Sequence, residues 1–520
     1  MNGTERKELT SGFDVQAADL SGRWLVEASA GTGKTFALER IVLRLVIEEA
    51  VSIDRILVVT FTNAATAELR ERVRALFYKA SAVLKNGDEQ SEFETFFERS
   101  RLREHDPAAL IESALEHFDE ASILTIHGFC QKMLSEFIFT RAGAYDVEFV
   151  SDTGFEAEVT QAFLRRELPA LTPEQRAKVL EWGSLPQLLS KLGEHGSSVK
   201  PQARIDSDDL SDPTLKSLFE RFLQEGPRRV RELERLHGVK SFSALLTEMY
   251  SLVQSGDSAL ERIRNRYDAV LIDEFQDTDR IQYRIFKALF LADVPEAPKS
   301  VFFVGDPKQA IYAFRGAELD VYLQARNDIE QMGGQSESAG LRTLETNYRS
   351  TSALVTAVNA FFSANGSAGS FLSADIRYSD LKTGASAMPL VRIRDGKPEF
   401  VPVMSLWVDD ETLSGSKIEA VRQAEAKYMA DDIASLLDGS VYIYRHGQWR
   451  VLRPGDIAIL VKKRSASQHV QRELLARGVR TLLDDQTNVF TTSEADDVRA
   501  VFEAMLSPTD TKKFATARAT

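Results

Sequence analysis

RWLVEASAGTGKTFALERIVLRL, residues 23–45, reads as strand, glycine-rich loop and helix in immediate succession. Trp24, Leu25 and Val26 form a short apolar run suited to a buried strand. Leu38, Ile41, Val42 and Leu45 recur at the three-and-four spacing of a helix face. Between them stand Ala28, Ser29, Ala30, Gly31, Thr32, Gly33, Lys34 and Thr35. Gly31 and Gly33 let the backbone turn so that successive N–H groups point at one anion, and the helix N-terminus adds its dipole at the same spot. In such a cradle Lys34 reaches the β- and γ-phosphates of a nucleotide and the Thr35 hydroxyl holds magnesium. Ala28 occupies the position where glycine is usual, a departure of one methyl group. The competing reading is a glycine turn ahead of a core helix, and a second nucleotide motif decides between the two.

The same alternation continues outward. RILVVTFTNAATAELRERVRALF (55–77) is again a strand and an amphipathic helix, with Leu69, Val73 and Leu76 on one face and Arg70, Arg72 and Arg74 elsewhere. SILTIHGFCQKML (122–134) supplies a third unit, and YDAVLIDEFQDT (267–278) and KSVFFVGDPKQAIYAFRGAE (299–318) are apolar strands ending in polar turns. Repetition of this kind implies an α/β protein with a parallel sheet and crossover helices. Residues 81–120 and 141–260 read as helical insertions, the second broken by the polar stretch 193–213, and QMGGQSESAG (331–340) reads as an interdomain linker. VPVMSLWV, VYIYR and DIAILVK are strand candidates beyond it, in a second α/β domain.

Composition narrows the function classes. A chain of 520 residues exceeds a single core and is expected to form three or four domains. No apolar run is long enough to cross a bilayer, and MNGTERKELT lacks the apolar core of a signal peptide, so no membrane association and a cytoplasmic location are expected. The single cysteine, Cys130, excludes an internal disulfide and a cysteine-based zinc site. A net charge of −14 argues against coating nucleic acid by bulk attraction, yet leaves room for a local basic groove.

The second nucleotide motif is LIDEFQD. A strand ending in Asp273 and Glu274 sets one carboxylate beside a magnesium ion and the other where it polarises an attacking water. Acids at a strand end also cap helices; beside a phosphate loop the nucleotide reading is favoured. Gln276 and Asp277 are supporting residues without assigned chemistry. In GDPKQAIYAFRGA, Gln309 is a candidate γ-phosphate sensor, and Tyr312, Phe314 and Arg315 form the aromatic-plus-arginine loop that stacks on unpaired bases. Core burial is the alternative for either ring. Phe61, Thr62 and Asn63 offer the same combination at a second strand end, Thr62 either capping the next helix or touching a DNA phosphate. His127 has no nucleophile or metal partner spaced to use it and reads as structural.

In order and spacing, EASAGTGKT, VVTFTNAATAELR, TIHGFCQ, LIDEFQDTD, VGDPKQAIYAFRGA and TNYRS resemble the superfamily 1 helicases of the UvrD/Rep type, and among them the RecB group, the beta subunits of exodeoxyribonuclease V. The resemblance spans essentially the whole chain. It implies two RecA-like parallel-sheet domains of the P-loop NTPase fold, the first with helical insertions. The boundaries are 1–80 for the P-loop part of the first domain, 81–120 for a helical insertion and 121–140 for the return to that domain. A helical accessory insertion follows at 141–260, the DEFQD and GDPKQ part at 261–335 and the second domain at 336–520. It further implies ATP and Mg2+ as cofactors, Lys34, Glu274, Gln309 and Arg349 in catalysis, and Tyr348 stacked on adenine. Thr35 and Asp273 fall on the metal, and Phe61, Tyr312 and Phe314 on single-stranded DNA. Phe314 stands where many relatives carry tryptophan.

The implied activity is 3′ to 5′ DNA unwinding at DNA ends, single-stranded and duplex, in break repair, with RecC-like and RecD-like subunits as partners. An AddA-type or stand-alone UvrD-like helicase is the nearest alternative. A non-hydrolysing, ATP-gated DNA-binding subunit and a kinase-like small-molecule enzyme are alternatives of other classes. Gln16 is roughly placed for the family's adenine-reading glutamine, in an unusual surrounding pattern. Residues 1–520 show no counterpart of the family's later TIHKSKGLE-like and YVALTRA-like motifs, nor of the nuclease domain, and so read as an N-terminal fragment. Such a fragment is expected to bind ATP and single-stranded DNA but to hydrolyse and unwind poorly.

Overall fold

The strand that leads into the phosphate loop, Gly22–Ala28, lies in the middle of a seven-stranded, wholly parallel sheet. Numbered within that sheet, its strands are β1 (Ser11–Gly12), β2 (Gly22–Ala28), β3 (Ile56–Thr60), β4 (Ser122–Thr125), β5 (Ala269–Ile272), β6 (Ser300–Gly305) and β7 (Ala339–Leu344). They lie side by side in the order β1-β7-β2-β6-β5-β3-β4. The computed structural model describes residues 11–87, 91–138, 148–150, 154–182, 185–186, 188–189, 211–256, 258–311, 319–334, 338–363, 376, 378–384, 387–405, 418–445, 447–461, 464–483, 493–507 and 510–519.

A strand buried on both faces sends alternate side chains into two cores. Trp24, Val26 and Ala28 join Phe302 and Val304 on one face, where the helices Lys34–Ile47 and Asn63–Asn86 and the aromatic cluster Phe93, Phe96, Phe97 and Phe118 pack. Leu25, Leu57, Val270 and Phe303 enter the other, beneath the helices Ile126–Ile138, Phe242–Gln254, Arg280–Phe290 and Leu319–Gly333. Each fully buried side chain of this kind contributes roughly 1.5–3 kcal/mol by leaving water. The rigid frame that aims the loop is therefore this two-sided core.

The insertion at 81–120 is helical as expected, and its phenylalanines share the first core instead of forming one of their own. Arg70, Arg72 and Arg74 do lie off the buried face of their helix. Arg70 donates to the Ala121 and Ile123 carbonyls, while Arg72 pairs with Glu39 and Arg74 with Asp119. The accessory segment has a separate core built on Phe155, Phe163, Trp182, Phe219 and Phe222. Its longest helix, Pro213–His237, is capped by Asp212 and closed by Gly238 in the left-handed conformation. Most of the polar stretch 193–213 lies outside the described residues.

QMGGQSESAG stands between a helix and a strand of the first sheet. Its first residues end the helix Leu319–Gly333 and its last begin β7, which pairs with β2 along Arg23–Ala28. The chain divides into two compact units, 1–386 and 387–520. β7 stays with the first unit because β2 would otherwise be left half-paired. In the second unit the strands Lys397–Phe400, Val391–Arg394, Val441–Arg445 and Gln448–Val451 form an antiparallel sheet in that order. Asp395 and Gly396, both with positive φ (51° and 74°), make the tight turn that antiparallel neighbours need. VYIYR is a strand as expected; in DIAILVK, residues 457–461 are not, and neither are 401–405 of VPVMSLWV. An apolar run alone does not distinguish a strand from irregular chain, and here Leu460 is 96% exposed. The helices Ile418–Leu436 and Arg464–Ala476 pack through Ala426, Ala430, Ile433, Val470 and Leu474.

Candidate nucleotide site

All parts of the site that the structure describes belong to the first unit. Ala28 ends β2 fully buried. Ser29 to Gly33 then turn: Thr32 donates its N–H and its hydroxyl to the Ser29 carbonyl (3.2 and 2.8 Å), and Gly31 and Gly33 take φ of 80° and 88°. Only glycine adopts such angles without strain. Gly33 caps the helix Lys34–Ile47, so Lys34 and Thr35 are its first two residues and the free N–H groups of its first turn open onto the loop.

Two distant segments meet this loop. From the end of β5, Glu274 accepts a hydrogen bond from Lys34 Nζ at 2.6 Å. Glu274 sits in the left-handed region (φ 49°, ψ 42°), with its N–H on Asp273 Oδ1 at 2.8 Å. A non-glycine residue held there costs on the order of 1 kcal/mol and persists only where its surroundings demand it. From the end of β7 comes TNYRS. Buried Asn347 donates from Nδ2 to the Ala30 carbonyl (2.9 Å), and its Oδ1 accepts the Arg349 and Ser350 N–H groups (2.9 and 2.8 Å). The Tyr348 N–H donates to the Gly31 carbonyl at 2.9 Å. A Cβ on Gly31 would lie 2.6 Å from Asn347 Nδ2 and 3.0 Å from Arg349 Cβ, so this glycine is required by contact as well as by φ. Tyr348 is largely exposed, its ring edge over Gly384, where any Cβ would collide with it.

Two carboxyls beside the loop lie above their ordinary range. Burial, with the neighbouring Glu274 charge, pushes the Asp273 carboxyl up to about 6 against the pull of Lys34. The same two causes raise Asp277 to about 6, and its Oδ1 is buried without a hydrogen-bond partner. Burial is the larger cause at both carboxyls, so a bare negative charge is disfavoured at either. Among the described residues no cluster of three or more His, Cys, Asp or Glu side chains could cage a metal alone. One carboxylate and one hydroxyl completed by phosphate oxygens and water is how magnesium is usually held beside a nucleotide.

The structure thus brings together Ala28 to Thr35, Glu274 beside Asp273, and Tyr348 with Arg349. Gln309 is one step removed, its Nε2 donating to Asp306 Oδ2 at 2.7 Å. Just after β3, Thr62 caps the helix Asn63–Asn86 through the Ala65 N–H (3.1 Å), with Thr62 and Asn63 exposed and Phe61 partly so. Tyr312, Phe314 and Arg315 lie outside the described residues. Gln16 is half-buried, with its N–H on Asp14 and its carbonyl receiving Arg99. That arginine completes a buried network in which Glu48 accepts from Arg44 Nε (2.8 Å) and Arg99 Nη2 (2.9 Å), while Arg44 also donates to the Val15 carbonyl. Burial lowers the His127 pKa, in keeping with a structural histidine. Sequence reasoning passed over Asn347, whose side chain staples TNYRS to the loop, and the bridging role of Gln276. The signal for the first was an Asn followed by N–H groups at two and three residues on, the pattern of a local side-chain turn.

Comparison with known proteins agrees with this geometry. The model of the UvrD/REP helicase N-terminal domain matches residues 13–330, and that of the UvrD-like helicase C-terminal domain matches residues 342–517. The RecBCD enzyme subunit RecB of Escherichia coli (strain K12) is 27% identical over 621 residues, covering 96% of this chain and 51% of that protein. RecB of Mycobacterium tuberculosis (strain CDC 1551 / Oshkosh) is 30% identical over 507 residues, covering 93% and 42%. For RecB of Haemophilus influenzae the figures are 24% over 640 residues, 93% and 51%. The chain spans about half the length of the curated relatives it matches. Among the described residues no helix is long and apolar enough to cross a membrane.

Proposed function

The chain belongs to the UvrD/Rep helicase family, and from that premise we propose that it is the ATP-driven, single-strand-translocating motor of a RecB-type DNA helicase. The observation that carries the proposal is the convergence on one loop of Lys34, Glu274 and the Asn347–Arg349 segment, drawn from three strand ends.

In this reading the N–H groups of residues 31–35 and the Lys34 ammonium hold the β- and γ-phosphates of ATP. Thr35 and Asp273 hold magnesium, which when bound neutralises charge on the phosphate oxygens. Lys34 has three N–H donors and gives one to Glu274, so the same residue that grips phosphate keeps a carboxylate close by. Glu274 takes the proton of the attacking water, and Arg349, fixed at its backbone by Asn347, reaches the γ-phosphate. Tyr348 stacks on the base. Gln309 reports the γ-phosphate to the adjoining loop, where Tyr312, Phe314 and Arg315, with Phe61, Thr62 and Asn63 from just after β3, grip single-stranded DNA.

The domain plan follows the family, with a motor interrupted by helical insertions and completed by the part from residue 336 onward. The substrate is a DNA end, translocation runs 3′ to 5′, and the partners are RecC-like and RecD-like subunits in cytoplasmic break repair. The parent protein carries the nuclease of the exodeoxyribonuclease V assembly.

ATP hydrolysis with and without single-stranded DNA, by this chain and by the full-length protein, tests the proposal. DNA-stimulated turnover by the full-length protein that Lys34→Ala abolishes is expected. Turnover indifferent to DNA would point to a small-molecule kinase, and nucleotide-dependent DNA binding without turnover to a gated scaffold.

A further inference from the structure

Gln276 is buried to 3% exposure in the short turn Phe275–Asp277, and its amide touches two motifs at once. Nε2 donates to Glu274 Oε2 at 2.7 Å, and Oε1 accepts the Asp306 N–H at 2.9 Å. Asp306, itself 2% exposed, ends β6; its Oδ2 accepts Gln309 Nε2 (2.7 Å) and its Oδ1 accepts Lys308 Nζ (2.8 Å). Lys34, Glu274, Gln276, Asp306 and Gln309 therefore form an unbroken hydrogen-bonded chain from the phosphate loop to the turn that leads into Tyr312. Gly305 makes the middle link possible, since a Cβ there would fall 2.6 Å from Gln276 Oε1. Behind the chain, the Phe275 ring stacks on Phe303 of β6 with centroids 4.5 Å apart, so the two strand ends cannot slide independently.

An amide that donates to one motif and accepts from the other makes the direction of the Glu274 carboxylate depend on where the Asp306 backbone stands. We propose that Gln276 is a positioning residue that couples single-stranded DNA at the Gln309 turn to nucleotide at Lys34 by setting the orientation of Glu274. The inference rests on the reading given under Proposed function. A displacement of the Gln309 turn moves the Asp306 N–H, the Gln276 amide follows its acceptor bond, and Glu274 swings toward or away from Lys34. By linkage the effect is mutual: nucleotide at Lys34 alters DNA affinity by the same factor as DNA alters nucleotide affinity.

The test uses the 520-residue chain, a fluorescent oligo-dT and a non-hydrolysable ATP analogue with magnesium. The dissociation constant of the oligonucleotide is measured by anisotropy with and without saturating analogue. For the wild type the two constants differ by a factor within the roughly 5- to 150-fold range of ordinary coupling. Gln276→Ala brings that ratio to within about twofold of unity while each ligand alone binds within about threefold of wild type.

Gln276→Met separates positioning from mere filling. It keeps the length of the buried side chain but loses both the donor to Glu274 and the acceptor for Asp306, and it too abolishes coupling; it also decides the matter if the alanine variant does not fold. Wild-type coupling in either folded variant overturns the proposal. A wild type that binds both ligands without mutual effect overturns it while leaving the functional reading intact, whereas a wild type that binds neither removes that reading and the inference with it.

Discussion

Replacing Asn347 by alanine removes three hydrogen bonds with partners 317, two and three residues away, at 2.9, 2.9 and 2.8 Å. At about 1 kcal/mol net for each bond, the loss is about 3 kcal/mol, and the Ala30 carbonyl and two N–H groups are left to find water. The two-sided sheet core is untouched, so most of that loss falls on the pre-formed loop and little on global stability. If all of it reached the ligand, nucleotide affinity would drop about 100-fold; a division between loop and fold leaves at least about 10-fold. The assay is titration with a fluorescent ADP analogue, which separates binding from hydrolysis, beside a thermal melt. Asn347→Asp keeps the two acceptor bonds but turns an oxygen toward the Ala30 carbonyl, and falls between alanine and wild type. A folded Asn347→Ala protein binding ADP within about twofold of wild type would refute the claim that this side chain pre-organises the loop.

Two further expectations concern stability. Glu48→Ala leaves the 3%-exposed Arg44 guanidinium without its carboxylate and also frees Arg99, which holds the Gln16 carbonyl. Urea denaturation should register a loss of about 3–5 kcal/mol, and a change within error of zero would mean that water replaces the pair. In the second unit, the paired bonds from Arg450 hold the Asp456 carboxyl down at about 2. A depressed carboxyl favours the fold when ionised, so its contribution is whole above about pH 5 and drains away as pH falls toward 2. Comparing Asp456→Asn with wild type across that window should show a stability gap that closes at the acid end; a gap independent of pH contradicts the assignment.

Much of the first unit was legible because each strand–loop–helix segment carries its own local signals. Gly31 and Gly33 announce the turn, β2 its burial, and Asp273-Glu274 the strand end beside it. What the sequence hid is contact between segments hundreds of residues apart. Nothing local in TNYRS says that Asn347 reaches Ala30, or that Gln276 reaches Asp306, because register between non-adjacent elements is set by the packed sheet. The stretch 331–340 is ambiguous in sequence for a related reason. Glycine and serine mark any chain reversal, whether between domains or between a helix and the next strand of one sheet. DIAILVK fails differently, since its apolar residues satisfy a strand's composition without a partner strand to pair with.

β7 carries a practical consequence. It lies between β1 and β2 and pairs with β2 along its length. A half-molecule cut at the glycine-serine stretch before it would expose the whole flank of β2 as an open row of N–H and C=O groups, a ready template for another chain. Such a piece would clump through the very strand that carries the phosphate loop. Dissection at 386/387 keeps that flank paired.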